Sequence, residues 1–248
     1  MKNKIQIQSD EYIFPYHHLV DFENPSFSKI WDFGIEYYFY CNEILNILKE
    51  MKFDTLADVG CGDGKITIEF AKRNCGKNIY GFDIDSRSIY YAKAFSANLK
   101  NIFFNNEDFD RTDISFDIIT LIEVLEHIPP DKIKYLIKTC YEKLNNDGVI
   151  IISVPTINNK NIPEKHYKHY DYEELSKDVG EYFDIKECKF VYKKNLLITF
   201  IEKILTNKIF CIVNNVVIKF AISFLKRLQN SVTKNNGRHL IVVLKKKD

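Results

Sequence analysis

Asp58-Val59-Gly60-Cys61-Gly62-Asp63-Gly64 follows the apolar run Thr55-Leu56-Ala57 and leads into Lys65-Ile66-Thr67-Ile68-Glu69-Phe70, and this join decides the fold. A buried strand that passes through a glycine-rich turn into a helix is the opening unit of a doubly wound α/β sheet, where backbone amides and a helix N-terminus approach a ligand at the strand ends. Gly60, Gly62 and Gly64 give a GxGxG pattern, and Lys65 stands where a GxGxxG dinucleotide turn carries its third glycine. That departure weakens a pyrophosphate reading. On its own the pattern also suits a turn that binds nothing.

The rest of the chain extends the same rhythm. Between Thr55 and Pro155, short β-branched or aromatic runs (NIYGFDI, NIFFNN, FDIITLIEV, GVIIISVP) alternate with amphipathic stretches (SRSIYYAKAFSANL, PPDKIKYLIKTCYEKL). Runs such as IITLI and VIIIS are continuous rather than alternating, as expected of parallel strands covered on both faces. Residues 26–51 predict one or two helices with Ile44, Leu45, Leu48 and Met51 on one face. Asp171 predicts a cap for a helix in DYEELSKDVGEYF, DIKECKFVYK a strand, and RHLIVVLKKK a last strand. No repeat or Gly/Ser linker divides the chain. We read 1–248 as one domain: a helical cap over 10–51, a core over 54–193, a helical insertion over 194–236 and the last strand over 237–248.

At 248 residues and 46% hydrophobic composition the chain is ample for a core, which excludes disorder and collagen-like classes. Charge balances at 35 Lys+Arg against 34 Asp+Glu with only five arginines, so a nucleic-acid binder held by phosphate contacts is not expected. The distribution is uneven: residues 186–248 hold 14 basic and 3 acidic side chains, leaving an acidic front. The six cysteines show no metal-like spacing, and the first dozen residues lack the apolar core of a secretory signal. A reduced, cytoplasmic setting is the expectation. Abundant Lys, Asn, Ile and Phe with few Gly and Arg match the codon bias of an AT-rich, bacterial genome.

Carboxylates recur at the strand ends. Asp83 closes the second strand, 19 residues beyond Gly64, where it can accept from both hydroxyls of a ribose. Asp108 follows the third strand beside Phe109, whose ring could cover a flat base. Each alone is more often a cap or loop residue; three successive strand ends carrying acids point to a cofactor cleft.

With these residues in place the sequence resembles the class I S-adenosylmethionine-dependent methyltransferases, over about residues 54–185. The resemblance implies a seven-stranded mixed sheet ending in an antiparallel pair, for which Lys189 to Tyr192 and His239 to Leu244 are the candidates. It further implies that Asp58, Gly60, Cys61 and Gly62 surround the methionine part of the cofactor, Asp83 and Ile84 the ribose, Asp108 and Phe109 the adenine, with Ile122 lining the cleft.

A second cluster lies in Thr120-Leu-Ile-Glu-Val-Leu-Glu-His-Ile-Pro-Pro130. If Glu123 begins a helical turn, Glu123, Glu126 and His127 share one face and could hold a divalent ion, such as Mg²⁺ or Mn²⁺, that acidifies a substrate hydroxyl. The EVLEH segment is similar to that of ubiquinone-pathway O-methyltransferases and of small-RNA terminal 2′-O-methyltransferases, which implies a further ligand at His166, with His169 the alternative. KHYKHYD equally resembles the EH(Y/F)RH(F/Y) segment of small-molecule enzymes without metal, and His127 is then a general base.

Three further features stay open. Tyr16, His17, His18, Trp31, Tyr37 and Tyr38 either close over the site or pack a front helix, with His17 and His18 facing substrate or lying in a surface loop. The insertion is amphipathic and basic, which suits a lid, a homodimer interface or peripheral membrane contact. Its charge would suit an anionic acceptor such as a phosphorylated sugar. The expected activity is O-methylation of a small molecule or surface-glycan precursor; the competing expectations are RNA 2′-O-methylation, a non-catalytic partner subunit that keeps the cofactor fold, and a nicotinamide oxidoreductase.

Overall fold

The computed structural model describes residues 3–25, 32–206, 212 and 214–247. The first part of the predicted front helix, with Trp31, and the middle of the insertion lie outside the described residues. Seven strands run in the order β3 (Ile102–Asn105), β2 (Asn78–Phe82), β1 (Thr55–Val59), β4 (Phe116–Ile122), β5 (Leu144–Pro155), β7 (Gly237–Lys246) and β6 (Phe183–Lys193). The first five pair in parallel, and β7 lies antiparallel between β5 and β6. Lys189 sits opposite Ile241 and Val191 opposite His239, so the antiparallel pair falls where the sequence predicts it.

Continuous apolar strands bury alternate side chains on opposite faces. Ile118, Ile151 and Val243 face one core with Ile44, Phe70 and Ile222 of the helices α2 (Asp32–Lys49), α3 (Lys65–Lys72) and α8 (Asn215–Leu228). Their neighbours Ile119, Ile150 and Val242 face the other, with Ile137 and Leu175 of α5 (Pro130–Lys143) and α6 (Tyr172–Val179). The result is a three-layer α/β/α sandwich.

Strand order reverses between β1 and β4, and at such a switch point the loops after the two strands part and leave a crevice. Both motifs read from the sequence lie at this point: the glycine turn after β1 and the Glu123–His127 segment after β4.

α4 (Ser86–Phe95) is capped by Asp85, α7 (Leu196–Leu205) by Asn195, and α6 by Asp171, whose carboxylate accepts from the Glu174 amide at 2.7 Å. Asp171→Ala is therefore expected to lower stability by about 1 kcal/mol in thermal or urea unfolding. The sequence reading did not foresee α1 (Lys4–Glu11), which buries none of its residues. It has an Asn3 cap but no apolar stripe, so its helicity depends on tertiary contacts at the site.

Candidate active site

A cavity of about 320 Å³ opens at the carboxyl ends of β1, β4 and β5. On one side is the glycine turn, whose conformation depends on missing side chains. Gly64 starts α3 at φ +74°, and a Cβ there would sit 2.6 Å from the Phe104 ring and 2.7 Å from Ala92 Cβ. At Gly62, φ +55°, a Cβ would lie 2.5 Å from the Tyr12 hydroxyl. Four of the turn's amides are occupied internally. Gly60 and Cys61 both donate to the Phe82 carbonyl at 2.8 and 3.1 Å, Gly62 donates to Asp83 Oδ2 at 2.8 Å, and Gly64 to the Cys61 carbonyl at 3.0 Å. What the turn presents to the cavity is carboxylate rather than amide.

Asp58 is buried at the end of β1 and accepts from Thr67 and Thr120 hydroxyls at 2.5 and 2.7 Å. Burial nevertheless pushes its carboxyl up to about 6, and Asp83 is pushed up to about 6 for the same reason although two backbone amides bind it. Asp63, also buried, is held below the usual carboxylate range: burial opposes ionisation, but His17 outweighs it from 3.0 Å. Two buried acids lining the cavity, Asp58 and Asp63, with Asp83 bonded to the Gly62 amide outside that lining, favour a ligand that brings positive charge.

Other cofactor-site expectations are placed differently. The Phe109 ring is buried against Phe82 and Phe116, centroids 5.1 and 5.9 Å away, so it packs the core and does not cover a base. Asp108 is exposed ahead of the short 3₁₀ turn Phe109–Arg111, and Ile84 is 61% exposed beyond Asp83; neither lines the cavity. Cys61 and Ile122 do line it.

The expected helical face at Glu123 does not form. Glu123 has φ +55°, and a three-residue 3₁₀ turn, Leu125–His127, replaces the helix. Glu123 turns away to accept from the Ser153 hydroxyl at 2.8 Å and to pair with His239 Nδ1 at 3.1 Å, so it is not a ligand beside Glu126. The group whose ligand atoms lie within 4.8 Å of one another is Glu126, His127 and His166.

Hydrogen bonds fix the histidine tautomers. His127 Nδ1 lies 3.3 Å from the Lys165 carbonyl, which can only accept, so Nδ1 carries the proton and Nε2 a lone pair. His169 Nδ1 faces the Asn159 carbonyl at 3.2 Å by the same logic, and its Nε2 then accepts from His166 Nδ1 at 3.0 Å. His166 is left with its lone pair on Nε2. Burial, aided by Lys165, lowers His127 to about 4, and burial, aided by His127, lowers His166 to about 3, so both rings are neutral at pH 7. Glu126 is buried with one carboxylate oxygen unpartnered, and burial drives its carboxyl well up.

The N-terminal segment covers the cavity from above. Tyr12 lies on the glycine turn, Lys165 pairs with Glu11 at 2.6 Å, Lys4 donates to the His166 carbonyl at 2.8 Å, and Tyr91 donates to the Ile13 carbonyl at 3.0 Å. His17 and His18 are partly buried against Asp63, not in a surface loop, and Tyr37 packs on His17 with tilted rings while Tyr38 packs on Phe22.

A family model described as a methyltransferase domain matches residues 34–189, more than half of the chain. The chain belongs to the methyltransferase domain family. Its fold is that of the class I S-adenosylmethionine-dependent methyltransferases. The N-methyltransferase NodS of Bradyrhizobium japonicum WM9, solved with S-adenosyl-L-homocysteine, superposes on this chain with a TM-score of 0.64, covering 100% of both chains at 14% identity. At that identity the likeness carries the fold alone. Among curated relatives, a ubiquinone biosynthesis O-methyltransferase of Glaesserella parasuis is 36% identical over 48% of this chain and 50% of its own length. A trans-aconitate 2-methyltransferase of Deinococcus radiodurans is 28% identical over 44% and 41%. The chain thus spans about half the length of the curated relatives it matches.

Sequence reasoning passed over the back wall of the cavity. His239 of β7 is 6% exposed and lies between Glu36 of α2, 2.9 Å from Nε2, and Glu123, 3.1 Å from Nδ1, while Arg238 reaches Glu36 at 2.7 Å. Burial opposes a charged imidazole, but Glu123 and Glu36 outweigh it and raise His239 to about 10; desolvation likewise opposes ionisation of half-buried Glu36, but His239 and Arg238 outweigh it and hold Glu36 down at about 2. No spacing rule joins residues 36, 123 and 239. An isolated Arg-His at a strand start was the available signal.

The raised His239 contributes stability that is fully present below its ordinary 6.5 and lost as pH rises through about 10. The depressed Glu36 contributes stability present above 4.5 and lost as pH falls through about 2. Subtracting the unfolding free energy of His239→Gln from that of the parent should therefore give a difference that falls between pH 6.5 and 10. A difference flat over that range would remove the imidazolium from the account.

Proposed function

We propose that this chain transfers the methyl group of S-adenosylmethionine to a hydroxyl oxygen of a small-molecule acceptor. The observation that carries the cofactor is the character of the glycine turn: its amides at 60, 61, 62 and 64 are already bonded, and the carboxyls of Asp58 and Asp63 line the cleft, while Asp83 lies outside that lining, bonded to the Gly62 amide. A pyrophosphate needs free amides at this place. A cation needs acids. S-adenosylmethionine carries a sulfonium and an α-amino group, and it would restore favourable charge to carboxyls that burial has raised. Asp83 is the residue for the ribose hydroxyls, and Asp58, Cys61, Gly62 and Asp63 for the methionine portion.

When bound, the cofactor would supply an electrophilic methyl to an acceptor oxygen in line with the breaking C–S bond, with S-adenosylhomocysteine as the leaving group. The protein's part is positioning, desolvation and proton removal. His127 presents the Nε2 lone pair to the cavity, so it accepts the hydroxyl proton as the oxygen attacks. Glu123 lies near enough to favour the resulting imidazolium. α1 and Tyr12 exclude water. Oxygen as acceptor is supported by the O-methyltransferase relatives. The cavity-lining cations Lys165, Arg238 and His239 are already paired with Glu11, Glu36 and Glu123, so the pocket itself favours an uncharged acceptor over a phosphorylated one.

One observation favours a second role for the same cluster. Glu126 has a buried unpartnered oxygen beside two neutral imidazoles with lone pairs on Nε2, a set of one carboxylate and two nitrogens that suits Mn²⁺ better than the all-oxygen preference of Mg²⁺. Glu126, His127 and His166 would hold the ion, which would act as a Lewis acid on the acceptor oxygen.

The test is transfer of labelled methyl from S-adenosylmethionine to a panel of phenols, alcohols and hydroxy acids, with bound metal quantified before and after chelation. Methyl ether products support the proposal. Products methylated only on nitrogen, or none across the panel, contradict it. Stoichiometric metal whose removal abolishes transfer assigns the cluster to the ion; undiminished transfer after chelation leaves His127 as base.

A further inference from the structure

α7 and α8 are apolar on both sides. Their inner faces, Ile198 and Leu205 on one and Ile218, Ile222 and Leu225 on the other, are buried in the core that also packs α2. Their outer faces carry large apolar side chains in solvent: Leu196 at 91% exposure, Phe200 at 61%, Val216 at 77% and Phe220 at 76%, continued by Ile204 and Phe224. The spacing i, i+1, i+4, i+8 recurs on both helices, at 196, 197, 200 and 204 and again at 216, 217, 220 and 224. It lays one outward stripe along each helix. An exposed apolar surface this continuous marks an interaction site rather than ordinary surface scatter.

Charge identifies the partner. The single acid of residues 194–236 is Glu202, which is 4% exposed and held by Lys194 at 2.8 Å and the Tyr192 hydroxyl at 2.5 Å. Among the described residues of this stretch every exposed ionic side chain is a cation: Lys203, Lys219, Lys226, Arg227 and Lys234. By helical geometry Lys203 borders the α7 stripe, Lys219 and Lys226 border one side of the α8 stripe, and Arg227 continues it. Apolar side chains flanked by long cationic ones match a lipid interface, where the former enter the acyl boundary and the latter reach phosphates. A second copy of the chain would bring like charges together at the rims. Among the described residues no helix is long and apolar enough to cross a membrane, and helices of 10 and 14 residues are suited to lie along one.

We infer that α7 and α8 form a docking surface for an anionic lipid membrane. The inference is independent of the chemistry assigned to the cavity. Docking would leave α2 as the layer between lipid and active site: Glu36, Tyr37 and Tyr40 line the cavity, while Tyr38 lies under Lys226 at 5.3 Å.

Flotation of the full chain with vesicles tests it, using phosphatidylcholine alone and an equimolar mixture with phosphatidylglycerol. Co-flotation with the anionic vesicles only, weakened by salt, is expected. The paired change Phe200→Asp with Phe220→Asp should abolish it, and Lys219→Glu with Arg227→Glu should weaken it by about tenfold or more. These positions are exposed, so an unchanged circular dichroism melt should accompany each loss. Absence of binding to either vesicle would overturn the inference, as would a sedimenting dimer that the Phe200/Phe220 pair dissociates without any lipid uptake.

Discussion

Replacing His127 with alanine is expected to slow methyl transfer by about 10²- to 10⁴-fold, the range for removing a positioned general base, while leaving cofactor affinity unchanged. The separation follows from where the ring sits. His127 belongs to the turn after β4 and meets Lys165 and His166 on the acceptor side of the cavity, with no hydrogen bond to the glycine turn. Its Nδ1 is committed to a backbone carbonyl, so the Nε2 lone pair is the only proton acceptor it offers. His127→Gln retains a polar side chain and tests the proton rather than the packing. Equal loss of cofactor binding and turnover in both variants would assign His127 to the fold instead.

Asp83→Ala is expected to weaken S-adenosylmethionine binding roughly ten- to hundredfold, the loss of about 1.5–3 kcal/mol for hydrogen bonds to a charged acceptor. The same change should not cost equivalent stability. Burial raises the Asp83 carboxyl to about 6, so above that pH the folded chain carries an ionised group it disfavours, and the penalty grows as pH rises from 3.8 through about 6. Asp83→Asn removes the charge while keeping an acceptor for the Gly62 or Asp85 amide. We therefore expect Asp83→Asn to unfold at the parent's temperature or higher while binding cofactor less tightly. That split distinguishes a ligand-binding carboxylate from a structural one. Parallel loss of both would assign Asp83 to the loop.

What the sequence disclosed has a physical pattern. The sheet was legible because continuous apolar runs of strand length alternate with amphipathic ones, and because the glycine turn sits at a strand–helix join. Asp83 and Asp108 could be placed at strand ends by counting, but the side chain of Phe109 could not, since an aromatic beside an acid serves equally as a base cover or a core residue. Glu123, Glu126 and His127 illustrate the limit of spacing: i, i+3, i+4 brings groups together only on a helix, and here the backbone turns at Glu123 with positive φ. His239, Glu36 and Arg238 were invisible because their meeting depends on β7 returning between β5 and β6. α1 lacked a stripe to reveal it, yet it carries the contacts that close the cavity.

Calorimetric titration of the purified full chain with S-adenosylmethionine and with S-adenosylhomocysteine tests the central claim most directly. Saturable one-to-one binding of both, absent for NAD, is the result this account expects. Failure to bind either, or binding of NAD in their place, would contradict it, because the acids around the glycine turn would then serve some other ligand.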